Sequence, residues 1–132
     1  MSITVMSFNT QSCHNFLTHE INYEIFVDAI TRSGADIIGL NEIRGAGSDP
    51  EYQAQAKILA EKLGFHFYFA KAIDVGTKGP YGNALLSRYP IVKAETILIP
   101  DPSPRKYTGP YETRCLLKAQ VDRLFAENLS TC

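Results

Sequence analysis

Apolar and polar positions recur along the first third of the chain in a pattern that predicts a strand, a helix and a second strand. Residues 3–8 are rich in β-branched and apolar types and alternate in polarity, which predicts the first strand. Apolar residues then recur at helical spacing over 22–33, and Gly34 stands where a helix is expected to end. The short apolar run 36–40 predicts a strand that is buried on both faces.

The rest of the chain predicts one more helix and four strands. The segment SDPE at 48–51 is typical of a helix start, so we expect a helix from there to Leu63, with Gly64 as its end. The four strands are predicted at 65–70, 81–87, 91–99 and 113–122. We expect a hairpin-like connection through residues 88–90, and an irregular proline-rich loop over 100–110.

This order of elements predicts an α/β fold with one mixed β-sheet covered by two helices on one face. The opposite face of such a sheet also needs a covering layer, and the predicted elements supply none. We therefore expect an exposed apolar face, and self-association into a homodimer through it.

Composition and charge fit a single globular domain. The 132 residues are 45% hydrophobic and 20% charged, and the formal net charge is −1, so no overall field attracts nucleic acid or a membrane surface. No apolar run approaches the ~20 residues that span a bilayer, and the N-terminus does not resemble a signal peptide. Cys13, Cys115 and Cys132 form no CxxC pair, which favours reduced thiols and a cytoplasmic location.

Two polar residues stand where sheet enzymes place catalytic groups. Asn9 follows the first predicted strand, and Glu42 follows the second. The carboxyl ends of neighbouring strands converge at one rim of an α/β sheet, and a carboxylate beside an amide oxygen suits Mg²⁺ or Mn²⁺. The alternative is that Asn9 is a turn residue and Glu42 a solvated charge.

Four segments, in order, resemble the signatures of the endonuclease/exonuclease/phosphatase family. They are VMSFN at 5–9, ADIIGLNEI at 35–43, YGNALLSRYPI at 81–91 and ETRCL at 112–116. The family usually has Gln where this chain has Asn41. The resemblance implies half of a four-layer α/β/β/α sandwich, and hydrolysis of phosphodiester or phosphomonoester bonds by Mg²⁺-assisted in-line attack of water.

The same resemblance implies roles for individual residues. Glu42 would bind the cation, and Asn9 would orient the metal or the phosphate. Arg114 would contact the substrate phosphate, because a guanidinium fits phosphate oxygens, or else form a salt bridge with Glu112. Asn83 would lie near the phosphate or have a structural role.

Two motifs that the resemblance leads us to expect are absent. The family supplies its general base and its orienting groups from a Gly-Asp-Phe-Asn motif and a C-terminal Ser-Asp-His motif, and this sequence contains neither. We therefore expect residues 1–122 to form the N-terminal half of a family domain and 123–132 to be an unrelated tail. The alternative function is a catalytically inactive remnant, or an interaction module that binds phosphate or metal. Of the histidines, His14 and His19 lie in the loop after Asn9, and His66 is expected to be packed.

Overall fold

The computed structural model describes residues 2–104 and 112–123 and contains six strands and two α-helices in the predicted order. In chain order the elements are β1 Val5–Asn9, α1 Tyr23–Ser33, β2 Ile37–Arg44, α2 Gln55–Leu63, β3 His66–Asp74, β4 Pro80–Ser87, β5 Ile91–Leu98 and β6 Cys115–Val121. Most of the predicted proline-rich loop, from residue 105 on, and the predicted tail after Arg123 lie outside the described residues. None of the described helices is long and apolar enough to cross a bilayer.

The first helix begins and ends where the sequence predicts. The side chain of Asn22 accepts a hydrogen bond from the backbone N–H of Ile25, which satisfies one of the free donors at the start of α1. Gly34 closes the helix in the left-handed conformation. Phe26 and Ile30 are buried and attach the helix to the sheet.

The second helix ends at Gly64 as predicted, but it begins later than expected. It spans Gln55–Leu63, and the predicted start at 48–51 forms a turn instead. The carboxylate of Asp49 accepts the backbone N–H of Glu51 at 3.0 Å, and the Asp49 N–H donates to the carbonyl of Thr77 at 2.9 Å. These contacts hold the segment against the loop before β4, so tertiary hydrogen bonds override a local helix signal.

The main sheet is mixed, and both helices cover one of its faces. The strand order is β1-β2-β4-β3, with β1 and β2 parallel and the other pairs antiparallel. Ile38 and Leu40 of β2 and Leu86 of β4 are fully buried in the core cluster that contains the inward residues of both helices. This core fixes the register of β2, whose far end carries Glu42.

Strands β5 and β6 form a second, two-stranded antiparallel sheet that packs on the other face of the first. Because side chains alternate along β4, Asn83 points away from the helices when Ala84 points towards them. The Asn83 amide donates to the carbonyl of Cys115 on β6 at 3.3 Å, and the Tyr68 hydroxyl lies 2.8 Å from that of Thr96 on β5. The expected fold class is confirmed, and the second sheet covers part of the face that we expected to be bare.

The turn after β4 does not make the expected hairpin, because β5 leaves the first sheet. Asp36 fixes this corner: its carboxylate accepts the backbone N–H of Thr4 at 2.9 Å and the Nε–H of Arg88 at 3.0 Å. Both hydrogen bonds lower the pKa of Asp36, the one from Thr4 more strongly. The Arg88 guanidinium also stacks over Phe65.

Candidate metal and phosphate site

All four residues predicted for the site line one cavity. The cavity has a volume of about 280 Å³ and lies at the ends of β1 and β2, beside β4 and the segment that precedes β6. Its lining includes Asn9, Glu42, Asn83 and Arg114. Residues 105 positions apart in the sequence therefore meet at one rim of the fold.

A β-bulge sets the position of Glu42. Leu40 pairs with Ala84 and Ile43 pairs with Gly82, so Asn41 and Glu42 together face the one residue between those partners, Asn83. Glu42 has a φ of 54°, which is uncommon for a residue with a side chain. The bulge bends β2 where the strand passes the cavity.

Thr10 stabilises this bulge from the neighbouring segment. Its hydroxyl donates to the carbonyls of Asn41 at 3.0 Å and Glu42 at 2.9 Å, and its backbone N–H donates to Asn41 at 3.0 Å. Thr10 is 1% exposed, so these bonds are shielded from water. Sequence reasoning placed Thr10 in a polar loop and missed this role, for which the sequence contains no local signal.

Asn9 ends β1 opposite Asn41, and its side chain is held by the backbone that follows. Its Oδ1 accepts the backbone N–H of Gln11 at 3.1 Å. One lone pair of this oxygen is therefore used by the protein, and the other remains for a ligand. The Asn9 side chain is exposed, so it is accessible from the cavity.

Asn83 and Arg114 both line the cavity and both have protein partners. The Asn83 amide joins the two sheets through its hydrogen bond to Cys115. Arg114 is 69% exposed on its side chain and lies 3.4 Å from the carboxylate of Glu112. The salt bridge considered as the alternative for Arg114 is therefore present, and the guanidinium is also open to the cavity.

The pKa of Tyr81 reflects the negative charges around the cavity. Its pKa is raised, first by burial and then by the negative charges of Glu42 and Glu112. Two carboxylates thus act on one phenol at the cavity wall. A cation would be stabilised here, whereas a free anion would need a positive partner.

The donors around the cavity are oxygen atoms of the kind that Mg²⁺ and Mn²⁺ prefer. Carboxylates come from Glu42 and Glu112, and amide oxygens from Asn9 and Asn41. Within the described part of the chain, no three His, Cys, Asp or Glu side chains gather into a metal cluster. The set therefore fits a hard cation that retains several water ligands, and does not fit zinc.

The three histidines do not line this cavity. His14 is tied to its own loop, with Nδ1 2.9 Å from the carbonyl of Gln11, and His19 is exposed. His66 is exposed as well, so the expectation that it is packed was wrong: it is the first residue of β3, where both His66 and Phe67 are exposed. The cavity thus offers carboxylates, amides, a phenol and a guanidinium, with no imidazole.

A second group of residues behind the cavity was also missed from the sequence. The Arg44 guanidinium lies between the rings of Tyr52, at 5.1 Å, and Tyr81, at 4.7 Å, and its Nε donates to the Ser12 hydroxyl at 3.1 Å. Gln55 is fully buried; its amide donates to the Ser12 carbonyl at 2.6 Å and accepts the Arg44 backbone N–H at 2.9 Å. These polar residues connect β2, α2 and the loop after Asn9.

Comparisons with known proteins identify the family and the fold of the chain. A model of the Endonuclease/Exonuclease/phosphatase family matches residues 6–129. No curated protein matches the chain. Similar solved structures include an endonuclease/exonuclease/phosphatase from Beutenbergia cavernae DSM 12333, at 24% identity and a TM-score of 0.68, covering 89% of this chain and 34% of that chain.

Two further structures show the same fold. One is an endonuclease/exonuclease/phosphatase family protein from Leptotrichia buccalis C-1013-b, at 14% identity and a TM-score of 0.64, covering 92% of this chain and 49% of that one. The other is an AP endonuclease from Archaeoglobus fulgidus, at 19% identity and a TM-score of 0.54, covering 91% and 37%.

The chain belongs to the endonuclease/exonuclease/phosphatase family. It spans between about a third and a half of the length of these three solved structures. The family match runs past Asp122 to residue 129, and the division between a family part and a tail at that point stays a prediction.

Proposed function

We propose that this chain binds Mg²⁺ or Mn²⁺ through Glu42 and Asn9 and takes part in hydrolysis of a phosphodiester or phosphomonoester. The observation that carries the proposal is the convergence of four motif residues on one cavity of about 280 Å³. When bound, the cation supplies Lewis-acid stabilisation of charge on the phosphoryl group. Glu42 supplies the anionic ligand, and Asn9, oriented by the Gln11 amide, supplies a neutral oxygen.

Arg114 is proposed to bind the substrate phosphate. Its guanidinium is exposed at the cavity and is held by Glu112 in an ion pair that water screens, so exchange of that carboxylate for a phosphate costs little. A planar guanidinium also matches two phosphate oxygens at once. Asn83 is proposed to orient the same phosphate while it keeps the two sheets together.

The second candidate function is binding of metal or phosphate without turnover. It is favoured by the absence of an imidazole from the cavity and of the Gly-Asp-Phe-Asn and Ser-Asp-His motifs from the sequence. Loss of a base and its orienting group typically lowers a hydrolytic rate by several orders of magnitude. Because the chain covers 34–49% of its structural neighbours, we propose that it corresponds to the N-terminal part of the family domain.

The proposed substrate is a phosphate ester, either nucleic acid or a small molecule. One structural neighbour is described as an AP endonuclease, which makes nucleic acid a reasonable class to test. The net charge of −1 gives no general attraction to a duplex, so such binding would depend on local contacts.

We also propose that two copies associate through the uncovered part of the inner sheet face. Val5 is 69% exposed there, and Gly39 and Leu85 line an open groove with Leu117 of β6. Burial of this surface is favourable, and a two-fold arrangement would use the same surface in both copies.

The buried thiols Cys13 and Cys115 are free, which fits the proposed cytoplasmic location.

The deciding experiment follows hydrolysis of an aryl phosphodiester by the purified chain with Mg²⁺, with EDTA, and with the Glu42→Gln variant. Mn²⁺ binding is measured in parallel by electron paramagnetic resonance. Turnover that needs both the metal and Glu42 supports the enzyme, whereas Mn²⁺ binding that needs Glu42 without turnover supports the binding function. Equal Mn²⁺ affinity in wild type and Glu42→Gln would exclude both the enzyme and metal binding through Glu42.

A further inference from the structure

Arg44 has an arrangement that packing alone does not explain. Its Nη1 atom is buried and has no hydrogen-bond partner among the residues that the structure describes, while the guanidinium lies between Tyr52 and Tyr81. A buried charge with an unpaired N–H is unfavourable, and an apolar side chain of similar length would fill this space at lower cost. The position therefore serves more than the stability of the fold.

On one side, the contacts of Arg44 lead to the cavity wall beside Glu42. The guanidinium stacks on Tyr81, and Tyr81 and Glu42 line the same cavity. Arg44 thus restricts the position of the aromatic ring that forms the cavity wall beside the proposed metal ligand.

On the other side, the contacts of Arg44 lead to the loop that follows Asn9. Gln11, Ser12 and Cys13 have φ values of 46°, 56° and 61°, a run of left-handed conformations in residues with side chains. Such a conformation persists only where the surroundings hold it. Here Arg44 binds the Ser12 hydroxyl, and Gln55 binds both the Ser12 carbonyl and the Arg44 backbone.

We infer that Arg44 is a positioning residue, which holds the loop after Asn9 and the Tyr81 ring so that both proposed metal ligands face one cavity. The inference rests on the proposed function for the meaning of the cavity, but the mechanical link from Arg44 to the loop stands on these contacts alone.

Arg88 provides a matched control. Its guanidinium also stacks on an aromatic ring, that of Phe65 at 4.9 Å, and its Nε also makes a 3.0 Å hydrogen bond, to Asp36. It lies beside the opposite end of β2 and does not line the cavity. Loss of Arg88 therefore reproduces the loss of stability that follows from removing a stacked arginine, but it leaves the contacts around the cavity unchanged.

The test compares Arg44→Met with Arg88→Met, each at a temperature where circular dichroism shows a folded chain. Amide hydrogen exchange is followed at Thr10 and Cys13, whose N–H groups donate to the carbonyls of Asn41 and Thr10. Arg44→Met is expected to accelerate exchange at both amides by about tenfold or more and to weaken Mn²⁺ binding by about tenfold, a typical loss for a group that orients a metal ligand. Arg88→Met is expected to change neither.

Unchanged exchange at Thr10 and Cys13 in Arg44→Met would overturn the inference, as would equal acceleration in both variants. If Arg44→Met does not fold, Arg44→Lys, which keeps the charge and loses the bond to Ser12, replaces it with the same expected acceleration and the same overturning result. A wild-type chain that binds no Mn²⁺ would refute the proposed function, and the exchange measurement would still decide the role of Arg44.

Discussion

The hydroxyl of Thr10 donates a hydrogen bond of 2.9 Å to the backbone carbonyl of Glu42, 32 residues further along the chain. The same hydroxyl also donates to the neighbouring carbonyl of Asn41 at 3.0 Å. One buried side chain therefore contacts both residues of the bulge that carries the proposed metal ligand.

Replacement of Thr10 by Val keeps the shape of the side chain and removes this donor. We expect Thr10→Val to lower the free energy of unfolding by about 1–3 kcal/mol, the usual cost of leaving buried acceptors short of a donor. Mn²⁺ affinity should fall as well, because the bulge loses its support. Urea denaturation and Mn²⁺ titration measure the two effects. Thr10→Ser, which retains the hydroxyl, is the control, and equal behaviour of the Val and Ser variants would contradict the assigned role.

Gly82 lies opposite the bulge in β2 and beside a second irregularity in β3. A Cβ atom at this position would lie 2.0 Å from the carbonyl oxygen of Ala70, a backbone atom that cannot move aside. We expect Gly82→Ala to destabilise the chain by about 3 kcal/mol through overpacking. Thermal or urea unfolding measures this loss.

Gly39 is the matched control for that substitution, because a Cβ there meets its nearest atom, the carbonyl oxygen of Met6, at 4.0 Å. Gly39→Ala is expected to change stability by less than about 1 kcal/mol. If the two alanine variants lose equal stability, the close approach at Gly82 is not the cause.

The sequence carries local information on the helices and strands, and this part of the fold was predictable. Gly34 and Gly64 end the helices as expected, since a left-handed C-cap is a property of the residue itself. That Asn9 and Glu42 meet at one rim was predictable from their positions near the ends of two apolar strands, because parallel strands bring such ends together. Their role as metal ligands stays a prediction that comes from the family resemblance.

What the sequence could not predict depends on contacts between distant residues. The φ of 54° at Glu42 requires a bulge whose carbonyls are bonded by Thr10, and no pattern near Glu42 indicates it. The burial of Gln55 depends in the same way on Ser12, 43 residues away. The predicted helix start at 48–51 was wrong because hydrogen bonds to the loop before β4 hold that segment in a turn.

The buried thiol of Cys13 makes the chain less stable at alkaline pH. Burial raises the pKa of this thiol from its ordinary 9.0 to about 12, against a smaller lowering by a hydrogen bond with Thr10. Between these values the unfolded chain releases a proton that the folded chain retains, so stability is full below pH 9 and falls as the pH rises towards 12. The full effect is about 4 kcal/mol.

Comparison with Cys13→Ala isolates this contribution from those of the other groups that titrate at high pH. Between pH 8 and 10.5 the wild type is expected to lose about 2 kcal/mol more than the variant. Urea unfolding at several pH values measures both slopes, and parallel slopes would show that the thiol is not held protonated.

The carboxylate of Asp36 makes the chain less stable at acidic pH. Hydrogen bonds from Thr4 and Arg88 lower its pKa in the folded chain, so its stabilisation is present above the pKa of the unfolded chain and is lost as the pH falls through the folded value. Asp36→Asn should therefore cost about 1 kcal/mol at pH 7 and approach the wild type at acidic pH, once the Asp36 carboxyl of the folded wild type is protonated. Urea unfolding at neutral and at acidic pH tests this. A cost that does not change with pH would show that it comes from the shape of the Asp36 side chain and not from its charge.

The proposed association of two copies through the inner sheet face predicts a dimer that one charge can dissociate. Val5 is 69% exposed on β1, the edge strand of the first sheet, and a lysine there would place a charge in the shared surface and oppose pairing along the free edge. Sedimentation velocity at micromolar concentration is expected to show a dimer for the wild type and a monomer for Val5→Lys. Ile25→Lys, on the outer surface of α1 where the residue is 42% exposed, should remain dimeric. A monomeric wild type would refute the dimer. Dissociation by Ile25→Lys alone would show that the two copies associate through the helices and not through the sheet.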